Sequence, residues 1–189
     1  MTSVDTARDV LILFGTTEGQ TRKIAEALAA VLRRVRLGVD VVDAAAAANV
    51  RPTAYRAVIV AASVHAGRYQ RQVRRWVRAN ATTLAMRPTA FVSVCLAVLN
   101  RTAAVDEHLD GILRAFFTAT GWTPDESKIV AGALPYTKYS WWKRWLMVRI
   151  VRRNQGDADT SRDYEYTDWA DLEAFALRFA DRLTSVVTV

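Results

Sequence analysis

The run Val10-Leu11-Ile12-Leu13-Phe14-Gly15-Thr16-Thr17-Glu18-Gly19-Gln20-Thr21 decides the fold class of this chain. Its first five residues are apolar, which is typical of a strand that is buried on both faces. The polar loop that follows leads into Thr21–Arg36, a segment in which apolar residues recur at helical spacing. A buried strand joined by a short loop to an amphipathic helix begins a βαβ unit, so a parallel sheet is predicted.

The same alternation of apolar strands and helical patterns continues to the end of the chain. The predicted strands are Val10–Phe14, Val39–Val42, Ala57–Ala62, Thr89–Cys95 and Lys128–Ala133. The predicted buried helix faces are Ile24, Leu28, Val31, Leu32 and Val35; Val73, Trp76 and Val77; Leu109, Ile112, Leu113, Phe116 and Phe117, with Gly121 as the stop; and Trp169, Leu172, Phe175, Phe179 and Leu183 on a helix from about Asp168 to Leu183. Together they predict an α/β, doubly wound three-layer sandwich whose five-stranded parallel sheet has the flavodoxin-like order 2-1-3-4-5.

Length and composition narrow the class of protein. With 189 residues, 51% of them hydrophobic, the chain is predicted to be one globular domain, residues 1–189, and not a disordered chain. The chain has a single cysteine, Cys95, so an intramolecular disulfide is excluded, and this residue is expected to be a buried structural thiol. Its two histidines are too few for a conventional zinc site, so no metal is predicted. Neither a signal peptide nor a spanning run of about 20 apolar residues is seen, which favours a cytoplasmic protein.

Two segments account for the net charge of +7. Residues 64–87 and residues 134–156 each carry six Lys or Arg and no acid, so the rest of the chain is net negative. Such localised basicity indicates an anionic partner. The second segment lies in residues 134–165, an insertion before the last helix that is far longer than an ordinary connection of about 2–6 residues.

The loop Gly15–Thr21, here called the phosphate loop, has the composition of an anion site. Unpaired N–H groups and the positive dipole end at the start of a helix attract anions, and Thr hydroxyls and the Gln20 amide add donors. The loop matches neither G-x-G-x-x-G nor G-x-x-x-x-G-K-[ST], which disfavours bound NAD or ATP. An ordinary strand-to-helix turn capped by Thr is the alternative.

This loop resembles the T/S-x-T-G-x-T loop of flavodoxins, which holds the phosphate of FMN without a cationic side chain. Glu18 replaces the usual third hydroxyl, so its side chain is expected to point away and only its N–H to help. Further stretches resemble the menaquinone-dependent protoporphyrinogen IX dehydrogenases, small FMN proteins of the flavodoxin superfamily, over about residues 9–183. They are Ala62-Ser63-Val64-His65-Ala66-Gly67-Arg68-Tyr69, Arg87-Pro88-Thr89-Ala90-Phe91-Val92-Ser93-Val94, Ala131-Gly132-Ala133-Leu134-Pro135-Tyr136 and Tyr166-Thr167-Asp168-Trp169.

The resemblance implies FMN as cofactor, protoporphyrinogen IX as substrate in haem biosynthesis, and a membrane quinone as electron acceptor. It assigns the FMN phosphate to Thr16, Thr17, Glu18, Gly19, Gln20 and Thr21, and the flavin ring to Ser63, His65, Gly67, Tyr69 and Ser93. No catalytic acid or base is assigned. His65 is compatible with a proton donor, with a hydrogen-bond partner of the substrate, and equally with an ordinary surface histidine.

The basic part of the insertion, residues 134–156, contains five aromatic and six cationic residues. Within it, eight of the eleven residues of Trp141–Val151 are apolar. This composition suits a membrane interface, which places the protein peripherally on the inner face of the cell membrane. Packing of the tryptophans onto the domain or a second subunit is the alternative, so an oligomer is compatible with the sequence. Both basic segments would also suit the propionates of a porphyrinogen. Nucleic acid is disfavoured because it leaves the phosphate loop unexplained.

Two other functions are compatible with the same motifs. A quinone reductase fed by NAD(P)H needs no resident dinucleotide motif if the nicotinamide binds transiently. An electron-transfer flavodoxin or a membrane-docking module would need no substrate of its own. Flavodoxin carriers are typically acidic, so the charge of +7 argues against the carrier.

Overall fold

A computed structural model of the chain describes residues 8–100, 102–134 and 163–185. Five parallel strands form the main sheet in the order β2-β1-β3-β4-β5, as predicted. They are β1 (Val10–Gly15), β2 (Val39–Asp43), β3 (Ala57–Ser63), β4 (Thr89–Val94) and β5 (Glu126–Val130). The order reverses between β1 and β3, and ligands of doubly wound folds bind at the carboxyl ends of the strands beside such a point.

Within the described residues, four α-helices cover the two faces of this sheet. They are α1 (Gln20–Arg34), α2 (Arg71–Leu84), α3 (Ala103–Thr120) and α4 (Trp169–Ser185). Short 3-10 helices lie at Pro52–Ala54 and Leu96–Asn100. Two further strands, β6 (Ala133–Leu134) and β7 (Tyr164–Glu165), pair antiparallel. No helix in the described ranges is long and apolar enough to cross a membrane.

The core consists of two apolar layers on opposite faces of the sheet. Residues alternate between the layers along β1: Ile12 packs with α1 and α4, whereas Leu13 packs with α2 and α3. Ile24 of α1 and Phe175 of α4 are fully buried in the first layer, and Val73 of α2 is fully buried in the second. Strands buried on both faces are continuous apolar runs, which explains why the sequence revealed them. The three-layer prediction is therefore confirmed.

Several predicted boundaries were wrong. The helix predicted at Thr21–Arg36 ends at Arg34, because Arg36 adopts a left-handed conformation with φ of 66°, and Val35 is 41% exposed. The strand predicted at Lys128–Ala133 is Glu126–Val130, since β4 ends at Val94, the partner of Val130, and leaves no strand beyond it to pair with.

The predicted core position of Trp169 was also wrong, because this residue is 39% exposed. It is the first residue of α4, and burial of that helix begins with Leu172. Cys95 follows β4 and is half-buried, and burial raises the pKa of its thiol. Of the predicted insertion, residues 135–162 lie outside the described part of the chain. The pair β6 and β7 holds the two ends of that segment together.

Gly15 marks a close approach between β1 and α2. A Cβ atom at this position would lie 2.4 Å from Val73 Cγ2 and 3.1 Å from Gln70 Oε1. We expect Gly15→Ala to lower the free energy of unfolding by roughly 1–3 kcal/mol, because an extra methyl group overpacks the core. Urea denaturation checks this value.

Gly111→Ala is the matched control, since a Cβ at this position within α3 has no neighbour within 4 Å. This variant should gain about 0.5–1 kcal/mol from the better helix propensity of Ala. Equal unfolding midpoints for Gly15→Ala and the wild type would contradict the close approach.

Candidate functional site

The phosphate loop lies at the carboxyl end of β1 and closes on itself before α1 begins. Gly19, the N-cap of α1, has φ of 97°, a left-handed conformation that favours glycine. Its N–H donates to Thr16 Oγ1 at 2.9 Å. The Thr16 side chain therefore fixes the turn of the loop.

The first turn of α1 presents donors without acceptors. The N–H groups of Gln20, Thr21 and Arg22 have no acceptor within the helix, by the geometry of every helix start. The first turn contains no acidic residue. Within the described ranges, the buried Thr21 Oγ1 has no hydrogen-bond partner. These features, together with the helix dipole, suit an anionic group bound against the start of α1.

Gln70 joins this loop to the next one along the sheet edge, the β3 loop (Ser63–Gln70). Its Nε2 donates to Thr17 Oγ1 at 3.2 Å and to Ser63 Oγ at 2.7 Å. Sequence reasoning missed Gln70, and the signal available for it was its place at the end of the loop, directly before α2. The two predicted binding loops are thus fixed to each other by one amide.

A tight turn, His65-Ala66-Gly67-Arg68, forms the tip of the β3 loop. The backbone N–H of His65 donates to the Arg68 carbonyl at 2.9 Å, and the N–H of Arg68 donates back at 3.1 Å. Ala66 and Gly67 both have positive φ, 50° and 72°. This pair of left-handed residues gives the turn the backbone pattern of a type I′ hairpin. The His65 side chain is exposed at the tip.

Tyr69 and Ser93 lie below the loops, inside the core. They are 8% and 2% exposed, and the Tyr69 hydroxyl and Ser93 Oγ form a 2.8 Å hydrogen bond. Tyr69 packs edge-on against Phe91 and Phe116 at centroid distances of 5.1 and 4.9 Å. Burial raises the pKa of Tyr69 to about 12. Both side chains lie in the core beneath the loops, where their hydrogen bond supports the loops from below.

A third set of contacts attaches the ends of the insertion to α1. Gln20 Nε2 donates to Thr167 Oγ1 at 2.9 Å, and Thr167 Oγ1 donates to the Ala131 carbonyl at 2.8 Å. Lys23 Nζ lies 2.7 Å from Glu165 of β7, and the hydrogen bond from Lys23 lowers the pKa of that carboxyl. Thr167 was not predicted as a site residue. The residues that flank the insertion, Ala131 and Thr167, therefore lie beside the start of α1.

The structure brings most of the predicted site residues together on two neighbouring loops. The phosphate-loop residues and the β3-loop residues Ser63, His65 and Gly67 lie on adjacent loops at the switch point of the sheet, joined by Gln70. Glu18 is half-buried in the phosphate loop. The resulting site offers neutral hydroxyl, amide and backbone donors, a set that suits a phosphate group and fits the phosphate end of a flavin nucleotide.

Comparison with known proteins agrees with a flavodoxin-type fold. The model of the Flavodoxin domain family matches residues 11–161. Protoporphyrinogen IX dehydrogenase [quinone] of Escherichia coli K12 is 34% identical over 170 residues, which are 90% of this chain and 93% of the relative. The protein of the same name from Leishmania major is 30% identical over 90% of this chain and 74% of its own length.

Solved structures of flavodoxins share the fold at low sequence identity. A cysteine-to-serine mutant of flavodoxin from Pseudomonas aeruginosa has a TM-score of 0.57 and 15% identity, covering 93% of this chain and 99% of its own. Oxidised flavodoxin 2 from Bacillus cereus has a TM-score of 0.57 and 13% identity, covering 92% and 99%.

The family model defines a protein of the flavodoxin class, with a flavin as cofactor, and the solved flavodoxins share its fold. Within that class, the chain belongs to the family of the protoporphyrinogen IX dehydrogenases [quinone] and is an oxidoreductase.

The buried Tyr69 phenol makes stability depend on pH in the alkaline range. It stays neutral in the folded chain up to about pH 12 but ionises near 10.0 once unfolded. Stability from this group is therefore present below pH 10 and lost as pH rises from 10 to 12. We expect the wild type to lose about 1 kcal/mol more than Tyr69→Phe between pH 9 and 11, measured by urea denaturation.

Tyr55, whose pKa is also raised by burial, is present in both proteins and cancels in the comparison. At neutral pH Tyr69→Phe should cost about 1 kcal/mol, because Ser93 loses its partner. Identical alkaline slopes for the two proteins would show that the phenol is not buried as described.

Proposed function

We propose that this chain uses FMN to oxidise protoporphyrinogen IX to protoporphyrin IX in haem biosynthesis, with menaquinone or another membrane quinone as electron acceptor. The observation that carries the proposal is the neutral donor cradle at the start of α1. It occurs in a chain 34% identical, over nine-tenths of its length, to a protein named for this dehydrogenase activity with a quinone.

In this proposal the phosphate loop binds the phosphate of FMN. The N–H groups of Gln20 and Thr21 and the exposed hydroxyl of Thr17 are the donors nearest to an anion at the helix start. Thr16 and Gly19 hold the loop in shape through their mutual hydrogen bond. Glu18 contributes through its backbone. The charge of the phosphate is offset by the helix dipole and not by a cationic side chain.

The β3 loop would hold the flavin ring, with Ser63, His65 and Gly67 along its edge and the Tyr69–Ser93 pair below it. The bound flavin supplies the two-electron redox chemistry, while the protein positions it. Removal of six electrons and six protons from the porphyrinogen reduces three quinones to three quinols. His65, exposed at the loop tip, is the side chain we would test first as a proton carrier or substrate contact.

The membrane assignment rests on the quinone in the relatives' name and on the basic, ring-rich insertion. We treat residues 1–189 as one domain and residues 134–165 as its insertion, which begins and ends beside the phosphate loop. The composition of Trp141–Val151 suits contact with the substrate, lipid or a second subunit, on the cytoplasmic side of the membrane.

Anaerobic turnover tests the proposal. Purified protein loaded with FMN, protoporphyrinogen IX and a menaquinone analogue should produce porphyrin fluorescence, and omission of either FMN or the quinone should abolish it. NADPH should leave the flavin absorbance unchanged. Flavin that is bleached by NADPH, with no porphyrin formed, would favour the quinone reductase instead. Bound flavin that reacts with neither donor would favour the carrier.

A loop variant and its matched control connect turnover to the site. Thr17→Val should raise the FMN concentration for half-maximal turnover about tenfold, since a hydrogen bond to a charged group contributes roughly 1.5 kcal/mol. Thr82→Val, a change at an exposed position of α2, should leave that concentration unaltered. An equal response of the two variants would place the phosphate elsewhere.

A further inference from the structure

Helix α2 carries a row of arginines on one side, here called the arginine face: Arg71, Arg74, Arg75 and Arg78. Spacings of three, four and seven residues place them on the same side of the helix. All four are exposed. None forms an ion pair or a side-chain hydrogen bond in the described ranges.

Several exposed cations on other elements do form ion pairs. Lys23 pairs with Glu165, Arg34 with Glu173, and Arg182 with Glu126. Among the described residues the arginine face has no such partner, and residues 64–87 themselves contain no acid. Like charges three and four residues apart repel each other and destabilise the helix. The face is therefore an unneutralised concentration of positive charge, which an anionic partner would relieve.

The arginine face borders a groove between α2 and α3. This groove has a volume of about 630 Å³, and its lining also includes the small residues Ala79 and Ala119. Guanidinium groups bind phosphate through paired, parallel N–H donors, a geometry that lysine lacks. The groove thus leaves room for phosphate groups between the arginine side chains.

The position of the face relates it to the candidate flavin site. α2 starts at Arg71, directly after Gln70, whose amide contacts Thr17 of the phosphate loop at 3.2 Å. Arg68, exposed in the turn of the β3 loop, extends the cationic surface to the tip of that loop. Exposed positive charge is therefore present both at the tip of the β3 loop and along α2.

We propose that the arginine face docks this protein on a bilayer by binding the phosphates of anionic phospholipid headgroups. The inference rests on the proposed function, in which the electron acceptor is a quinone held in the bilayer. Docking through α2 would bring the β3 loop to the lipid surface, because the face begins at that loop. The residues of this face are distinct in sequence from the insertion, whose residues 135–162 lie outside the described part of the chain.

Vesicle co-sedimentation of the full chain loaded with flavin tests the docking. The wild type should bind vesicles of phosphatidylglycerol and phosphatidylcholine in equal amounts, and should bind pure phosphatidylcholine much less. The triple variant Arg74→Gln, Arg75→Gln, Arg78→Gln should lose on the order of 100-fold in partitioning, since each cation near an anionic leaflet contributes about fivefold. Arg71 is kept because it adjoins Gln70.

The matched control is Arg36→Gln, Arg51→Gln, Arg114→Gln, which removes three exposed arginines outside α2 that have no ion pair in the described ranges, and leaves the same net charge. It should lose less than about fivefold, the contribution of one cation. Equal losses in the two triple variants would overturn the proposal, as would a wild type indifferent to phosphatidylglycerol. Binding of tripolyphosphate to the arginine face without vesicle binding would also overturn it, in favour of a soluble polyanion.

Turnover separates this inference from the proposed function. With a water-soluble quinone, the turnover of the α2 variant relative to the wild type gives the reference, because the basic segment of residues 64–87 is also expected to suit the propionates of the substrate. With a long-chain quinone in the anionic vesicles, the variant should be slower than this reference by the measured loss of binding. Absence of turnover in the wild type would refute the proposed function, whereas vesicle binding is read without any substrate and tests the docking alone.

Discussion

The site depends on the unsatisfied start of helix α1. Three backbone N–H groups at Gln20, Thr21 and Arg22 need an acceptor that the helix itself cannot supply. Gly19 in its left-handed conformation turns the chain so that these groups follow directly from β1. Because β1 is buried on both faces of the central sheet, the loop follows directly from a strand that is packed on both sides. An anion held there needs no cationic side chain.

Polar side chains from distant parts of the sequence brace that loop. Gln70 ties it to the β3 loop, and the Gln20–Thr167–Ala131 series ties it to the end of β5 and the start of α4. Each contact contributes little alone, about 1 kcal/mol, but together they fix the relative positions of three loops. Such fixing matters for a cofactor that must be held at both its phosphate and its ring. The left-handed Ala66 shows that the β3 loop is held in a conformation that alanine rarely adopts alone.

The features that could be predicted from the sequence are those set by the pattern of apolar residues within short segments. The strands, the position of the phosphate loop and most of the buried positions of α1 and α4 follow from apolar periodicity, which is a property of neighbouring residues. The strand order was predicted from the doubly wound fold class that the alternation of strands and helices indicates. The bracing contacts could not be read in this way. Gln70 and Thr17 are 53 residues apart, and Gln20 and Thr167 are 147 apart, and no periodicity relates them. The prediction that Trp169 is buried was wrong because an apolar residue at a helix end can fit the periodic pattern without reaching the sheet. Tyr69 lies in the core because its ring packs on Phe91 and Phe116, which motif reading does not reveal.

The central claim is that neutral donors at the start of α1 bind the phosphate of the flavin. Backbone amide chemical shifts measure this most directly, when the protein saturated with FMN is compared with the protein saturated with riboflavin, which lacks the phosphate. The account predicts that the largest differences occur at the N–H groups of Gln20, Thr21 and Arg22. Unchanged amides at these residues, with the largest differences instead along Arg71–Arg78, would contradict it.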